Sequence, residues 1–270
     1  MIDLSEENLK AFERHSSKGN QLKWEKENVW YKADYMGYEG LSEYVVSALL
    51  KKSTLKPEEF VLYEPEQIRY KKTVFNGAKS ENFLYDGWQI ITLQRLYKTM
   101  YNRNFIADVW KIPEISDRLD FVYDTVLKIT GLEGFGTYLS KLLTIDAFFL
   151  NEDRHMHNIA VLMNGEGKFK LCPFFDQGAG LMSDTSIDYP LSEDTIKLIG
   201  EVKAKTICTS FEEALDAAEQ KFGINLKFMF DKNDATELTD NLDIYSDKEK
   251  ERVKTIIFQQ MRKYGYLFGK

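Results

Sequence analysis

A hairpin signal set inside helical sequence constrains this chain more than any other feature. Residues 158–163, NIAVLM, and 168–175, KFKLCPFF, are two β-like runs. Asn164-Gly165-Glu166-Gly167 joins them and is a strong turn signal. The residues before it, 137–150, carry a helical apolar period. A helix, a polar loop, a tight hairpin and a glycine-containing loop must follow one another. Antiparallel pairing puts Asn158 and Asp176 at the same end of the hairpin, with Asp153 on the loop entering it. Two carboxylates and one amide oxygen are therefore expected to converge.

Such oxygen donors suit Mg²⁺ or Mn²⁺, which take one or two protein carboxylates and complete their shell with water and phosphate. A further carboxylate off the metal can orient a substrate hydroxyl and accept its proton. Asp153-x-x-x-x-Asn158 followed by Asp176-Gln177-Gly178 has the spacing of a phosphotransfer catalytic loop and metal loop. Asp146 sits in the apolar helix, where an unpaired carboxylate is costly. It reads either as a ligand or catalytic acid, or as a buried acceptor tying down the loop backbone. His155 and His157 form H-x-H, but only His15 remains elsewhere, so a zinc site lacks ligands. His155 reads as organising the loop or touching a phosphate.

The first eighty residues read as strands around one helix. Residues 28–34, 60–70 and 73–84 are strand-like, with a turn at Lys71 and Lys72. Leu41, Tyr44, Val45, Ala48 and Leu49 recur at helical spacing between them. Lys32 lies among apolar residues of the first strand, where a buried cation needs an anion. Glu43 on the next helix is the expected partner, while Glu39 suits the helix N-terminus. An edge-strand lysine kept for solubility is the plainer reading of Lys32. His15 to Asn20, with Gly19, is a polar turn whose N–H groups can cover phosphates. Helical periods at 88–101, 117–130, 211–222 and 247–264 fill most of the rest. The expected division is 1–80, a β-rich lobe covering nucleotide, and 81–270, a helical lobe with the catalytic and metal loops.

The 270 residues carry a net charge of −7, a poor match to nucleic acid or an anionic membrane. Two cysteines, Cys172 and Cys208, make no disulfide framework. The start, MIDLSEENLK, has no apolar signal region, and no apolar run approaches a membrane span. A cytoplasmic location is expected.

NEDRHMHN with its hairpin and CPFFDQGAGL resembles the HipA-like bacterial serine/threonine kinases, nearest to their short, cell-translocating-kinase-like members. The likeness spans about 15–185 and includes SEYVVSALL and KSENFL. The Asp-Arg-His-x-x-Asn run is shared with the phosphatidylinositol 3- and 4-kinases. The resemblance implies an α+β, two-lobed protein-kinase-like fold and an ATP- and Mg²⁺- (or Mn²⁺-) dependent serine/threonine kinase, autophosphorylation included. It implies Asp153 as the catalytic aspartate, Asn158 and Asp176 on the metal, Lys32 on ATP phosphates and paired with Glu43, and 74–80 near the adenine. The phosphate-covering loop has a single glycine, Gly19. The implied partners are ATP and a protein substrate or the chain itself, with no direct nucleic acid and no membrane. The length leaves no room for the extra N-terminal subdomain of full-length HipA, which puts a toxin–antitoxin partner in doubt. Secretion into another cell is the alternative to a cytoplasmic location. The rival functions are a lipid or small-molecule kinase and a non-catalytic kinase-fold binding module. Residues 186–270 resemble nothing placeable.

Overall fold

Glu27 and Asn28 both adopt left-handed backbone, with φ of 51° and 64°. Two such residues make the tight turn whose twist matches a β-hairpin. The hairpin they close joins β-strands on either side of the turn, residues 23–26 and 29–33. The computed structural model describes residues 1–9 and 21–269. Gly19 and the turn around it lie outside the described residues.

In chain order, β1 (Ile2–Asp3), β2 (Lys23–Lys26), β3 (Val29–Ala33), α1 (Glu39–Leu50), β4 (Glu64–Tyr70) and β5 (Thr73–Glu81) come first. Next are β6 (Trp88–Thr92), α2 (Leu93–Tyr101), α3 (Phe105–Trp110), α4 (Ile115–Thr130), α5 (Phe135–Phe149), β7 (Ala160–Asn164) and β8 (Phe169–Leu171). Last are α6 (Thr195–Ile199), α7 (Phe211–Phe222), α8 (Lys232–Asp240) and α9 (Asp247–Lys263).

The described chain forms two compact units. One comprises 1–83, 175–202 and 228–270; the other comprises 84–174 and 203–227. The expected boundary at 80/81 followed chain order. The structure instead returns two later segments to the first unit. Phe228 bridges to Ser53 and Phe268, and the Asn76 amide donates to the Ile244 carbonyl at 2.6 Å.

In the first unit, a five-stranded sheet has the order β1-β4-β5-β3-β2. Leu4, Trp24, Tyr31, Ala33 and Ile68 form a buried cluster on it. Alternation sends Lys32, between Tyr31 and Ala33, to the opposite face. Helix α1 packs on the sheet at Gly40. A Cβ there would lie 2.4 Å from the Gly77 carbonyl carbon, so a glycine lets the helix approach β5 closely.

In the second unit, β6, β7 and β8 form an antiparallel sheet in that order. The expected hairpin is present, but its strands are shorter than 158–163 and 168–175. Pro173 has no N–H to continue the ladder beyond Cys172. Residues 88–92 correct the helical reading of 88–101: WQIIT is a strand, paired Ile90 with Leu162 and Ile91 with Val161. The helix starts only at Leu93, where the Thr92 hydroxyl accepts from the Arg95 N–H. Helix α5 is buried on nearly every side, which fits its all-round apolar sequence. Helices α3, α6 and α8 fall where no helix was expected. Both cysteines are free and buried. No helix among the described residues is long and apolar enough to cross a membrane.

Candidate functional site

The first unit assembles one group of site residues. Strand β3 delivers Lys32, which is 8% exposed. Its Nζ donates to Glu43 Oε1 on α1 and, at 2.8 Å, to Asp176 Oδ1. Burial alone would lower the Lys32 pKa, but the Asp176 and Glu43 carboxylates outweigh it and hold the pKa well above the usual lysine value. Glu43 is 1% exposed, and its Oε2 accepts the Gln177 N–H at 2.9 Å. Glu39 has a different task. Its carboxylate accepts the N–H groups of Tyr35, Met36 and Gly37, closing the loop into α1.

Tyr63 completes this group and escaped the sequence reading. Its hydroxyl accepts the Asp176 N–H at 3.3 Å and lies 3.4 Å from Lys32 Nζ. Asp176 itself has left-handed backbone, φ 61°, a conformation that Asp tolerates better than most residues. The Gln177 carbonyl accepts from Ser42, and the Leu181 carbonyl accepts from Tyr38 at 2.7 Å. The Asp176 loop is thus fastened to α1 at several points.

The second unit assembles the other group. Asn158 Nδ2 donates to the Asp153 carbonyl at 2.7 Å and to Asp153 Oδ2 at 3.1 Å. The loop folds on itself through the Asn158 N–H, which donates to the His155 carbonyl at 2.7 Å. His155 Nε2 lies 3.6 Å from Asp153 Oδ1, beside the expected catalytic carboxylate.

Arg154 explains Asp146. It is 2% exposed, and its Nε donates to both Asp146 oxygens, at 3.1 and 3.2 Å. Its Nη1 donates to the Asn158 carbonyl at 3.1 Å, and its own carbonyl accepts from Thr206. Of the two readings of Asp146, the structure supports the acceptor, acting through Arg154 rather than on the backbone directly. Even with this partner, burial pushes the Asp146 pKa up to about 6.

Among the described residues, no three His, Cys, Asp or Glu side chains gather as a preformed metal cage. Asp176 in the first unit offers a carboxylate and Asn158 in the second an amide oxygen, and each is a donor type that hard cations accept.

No family model matches the chain, and no curated protein matches its sequence. Solved structures do match in fold. The Helicobacter pylori proinflammatory kinase CtkA aligns with a TM-score of 0.58 over 97% of this chain and 94% of that chain, at 17% identity. The fold is kinase-like, similar to that of CtkA. A chain of the Shewanella oneidensis HipA, HipB and operator DNA complex aligns at a TM-score of 0.45 and 15% identity, covering 89% of this chain and 59% of that one. The kinase-like assignment rests on the CtkA likeness.

Proposed function

We propose that this chain is an ATP-dependent protein serine/threonine kinase that also phosphorylates itself. The observation that carries the reading is the buried Lys32, held by Glu43 of α1 and shared with Asp176. A kinase places such a lysine on nucleotide phosphates, with a helix glutamate fixing it and a loop aspartate taking the metal. The likeness in fold to the kinase CtkA supports the same class of reaction.

In this reading Lys32 binds the phosphates, and Asp176 and Asn158 hold Mg²⁺ or Mn²⁺. When bound, the metal supplies positive charge against the phosphate oxygens. Asp153 orients the acceptor hydroxyl and receives its proton, while Asn158 holds the Asp153 carboxylate in place. Catalysis is then mainly positioning and charge stabilisation.

Mass spectrometry after incubation with ATP and Mg²⁺ tests this. The wild type should gain phosphate on Ser or Thr. Asp153→Asn and Asp176→Asn should remain folded and lose roughly 10²-fold or more in rate. Variants that label at the wild-type rate would overturn the assignment. Label found only in an added lipid or metabolite pool would move the substrate class.

A further inference from the structure

The second unit carries a cavity of about 280 Å³ between α2 and α4. Its floor is aromatic. The Tyr97 ring centroid lies 4.9 Å from that of Tyr101 and 6.2 Å from that of Phe121. Tyr101 is 38% exposed, so this ring surface is open to a ligand. It favours a planar apolar group, which can stack or pack edge to face. The rim is charged, and the fold positions it. Asn102 ends α2 in left-handed backbone, φ 53°, and turns the chain so that Arg103 follows at once. Arg103 Nε lies 2.8 Å from Asp108 Oδ2, the oxygen to which the Tyr97 hydroxyl donates at 3.0 Å. Asp108 thus anchors Arg103 through Nε, and its Nη1 and Nη2 have no partner among the described residues.

Helix α4 supplies Asp124, Thr125 and Lys128 to the same cavity. Asp124 and Lys128 are exposed and form no ion pair among the described residues. Thr125 is 8% exposed, yet its hydroxyl makes no side-chain hydrogen bond among the described residues. Buried polar groups are ordinarily paired, so a cavity-lining hydroxyl without a partner marks a place for one. Arg103 and Lys128 against Asp124 leave one positive charge on the rim. A single carboxylate matches that charge, and a guanidinium with free Nη groups can hold it through two donors. Asp124 would repel the second charge of a phosphate monoester. We propose that this cavity binds a small aromatic carboxylate. The ring lies on Tyr97, Tyr101 and Phe121, the carboxylate goes to Arg103 and Lys128, and the Thr125 hydroxyl is a further donor. The site shares no residue with the candidate kinase site and does not depend on the kinase reading.

Titration of the full chain with phenylacetate, phenethylamine and acetate, followed by nuclear magnetic resonance, tests it. Phenylacetate should bind with a Kd of about 1 mM or tighter, the scale for a ligand of this size. Phenethylamine lacks the carboxylate and acetate lacks the ring, and each should bind at least about 10-fold more weakly. Arg103→Gln and Lys128→Gln should each weaken phenylacetate by about 10-fold, the scale of a charge-assisted contact. Lys128 is exposed, so its variant reads binding without a cost in folding. Thr125→Val should weaken phenylacetate by about threefold and leave the melting temperature no lower, because the hydroxyl it removes has no partner to lose. Phenylacetate that does not bind, that binds no better than phenethylamine or acetate, or that Mg²⁺–ATP displaces would overturn the site. Wild-type affinity in both Arg103→Gln and Lys128→Gln would overturn it too. A lowered melting temperature in Thr125→Val would show the hydroxyl to be structural and remove it from the site.

Discussion

Arg154 and Asp146 form a buried ion pair, each side chain 2% exposed, between the loop that carries Asp153 and helix α5. A buried pair of this kind contributes little net stability, but breaking one side of it is costly. Arg154→Leu should destabilise the protein by about 3–5 kcal/mol, because Asp146 loses its guanidinium and the Asn158 carbonyl loses a donor. Joint replacement, Asp146→Leu with Arg154→Leu, should recover a large part of that loss. Urea unfolding of the two variants decides it. Equal stability of single and double variants would refute the pairing argument.

Gly40→Ala tests the seat of α1. In an open helix, alanine for glycine would stabilise by about 1 kcal/mol. Here the new Cβ would lie 2.4 Å and 2.6 Å from backbone atoms of Gly77. Helix α1 must then back away from β5 and carry Glu43 off Lys32. A loss of about 1–3 kcal/mol is expected, as for an overpacked core, together with weaker nucleotide binding. A stabilised variant would show that the helix does not need this close approach.

Asp34 gives a pH dependence of defined sign. Burial, then the nearby Glu39 charge, pushes its pKa up to about 8, although the Gly40 N–H and the Tyr245 hydroxyl both donate to it. The folded protein keeps this proton to about pH 8, whereas the unfolded chain releases it near 3.8. Across that window the folded state binds more protons, so stability falls as pH rises. Asp34→Asn should flatten that slope and gain on the wild type toward pH 8. Urea midpoints at several pH values measure it. Parallel curves for the two proteins would exclude Asp34 as the source.

Much of the site could be read from residue types in context. Lys32 was visible because a lysine among β-formers needs an anion, and the structure supplies Glu43 on the next helix. The Asn164–Gly167 turn announced its hairpin because few other conformations suit those residues. Arg154 was quoted within a motif yet given no role, since arginine is almost never fully buried. The signal that would have found it was Asp146: a carboxylate in an apolar helix implied a cation nearby. Residues 88–92 misled because a short apolar run fits either period, and its pairing partner, β7, lies some seventy residues away.

Local chemistry therefore determined the β-rich first segment, the hairpin, and the carboxylates, amide and lysine that stand out from their surroundings. Those follow from turn geometry, period and the cost of burying charge, all of which act within a few residues. Tertiary structure alone decided that Tyr63 bridges Lys32 and Asp176, that Arg154 answers Asp146, and that 175–202 and 228–270 join the first unit. Each of these depends on which distant surfaces exclude water together, and no local pattern records that choice.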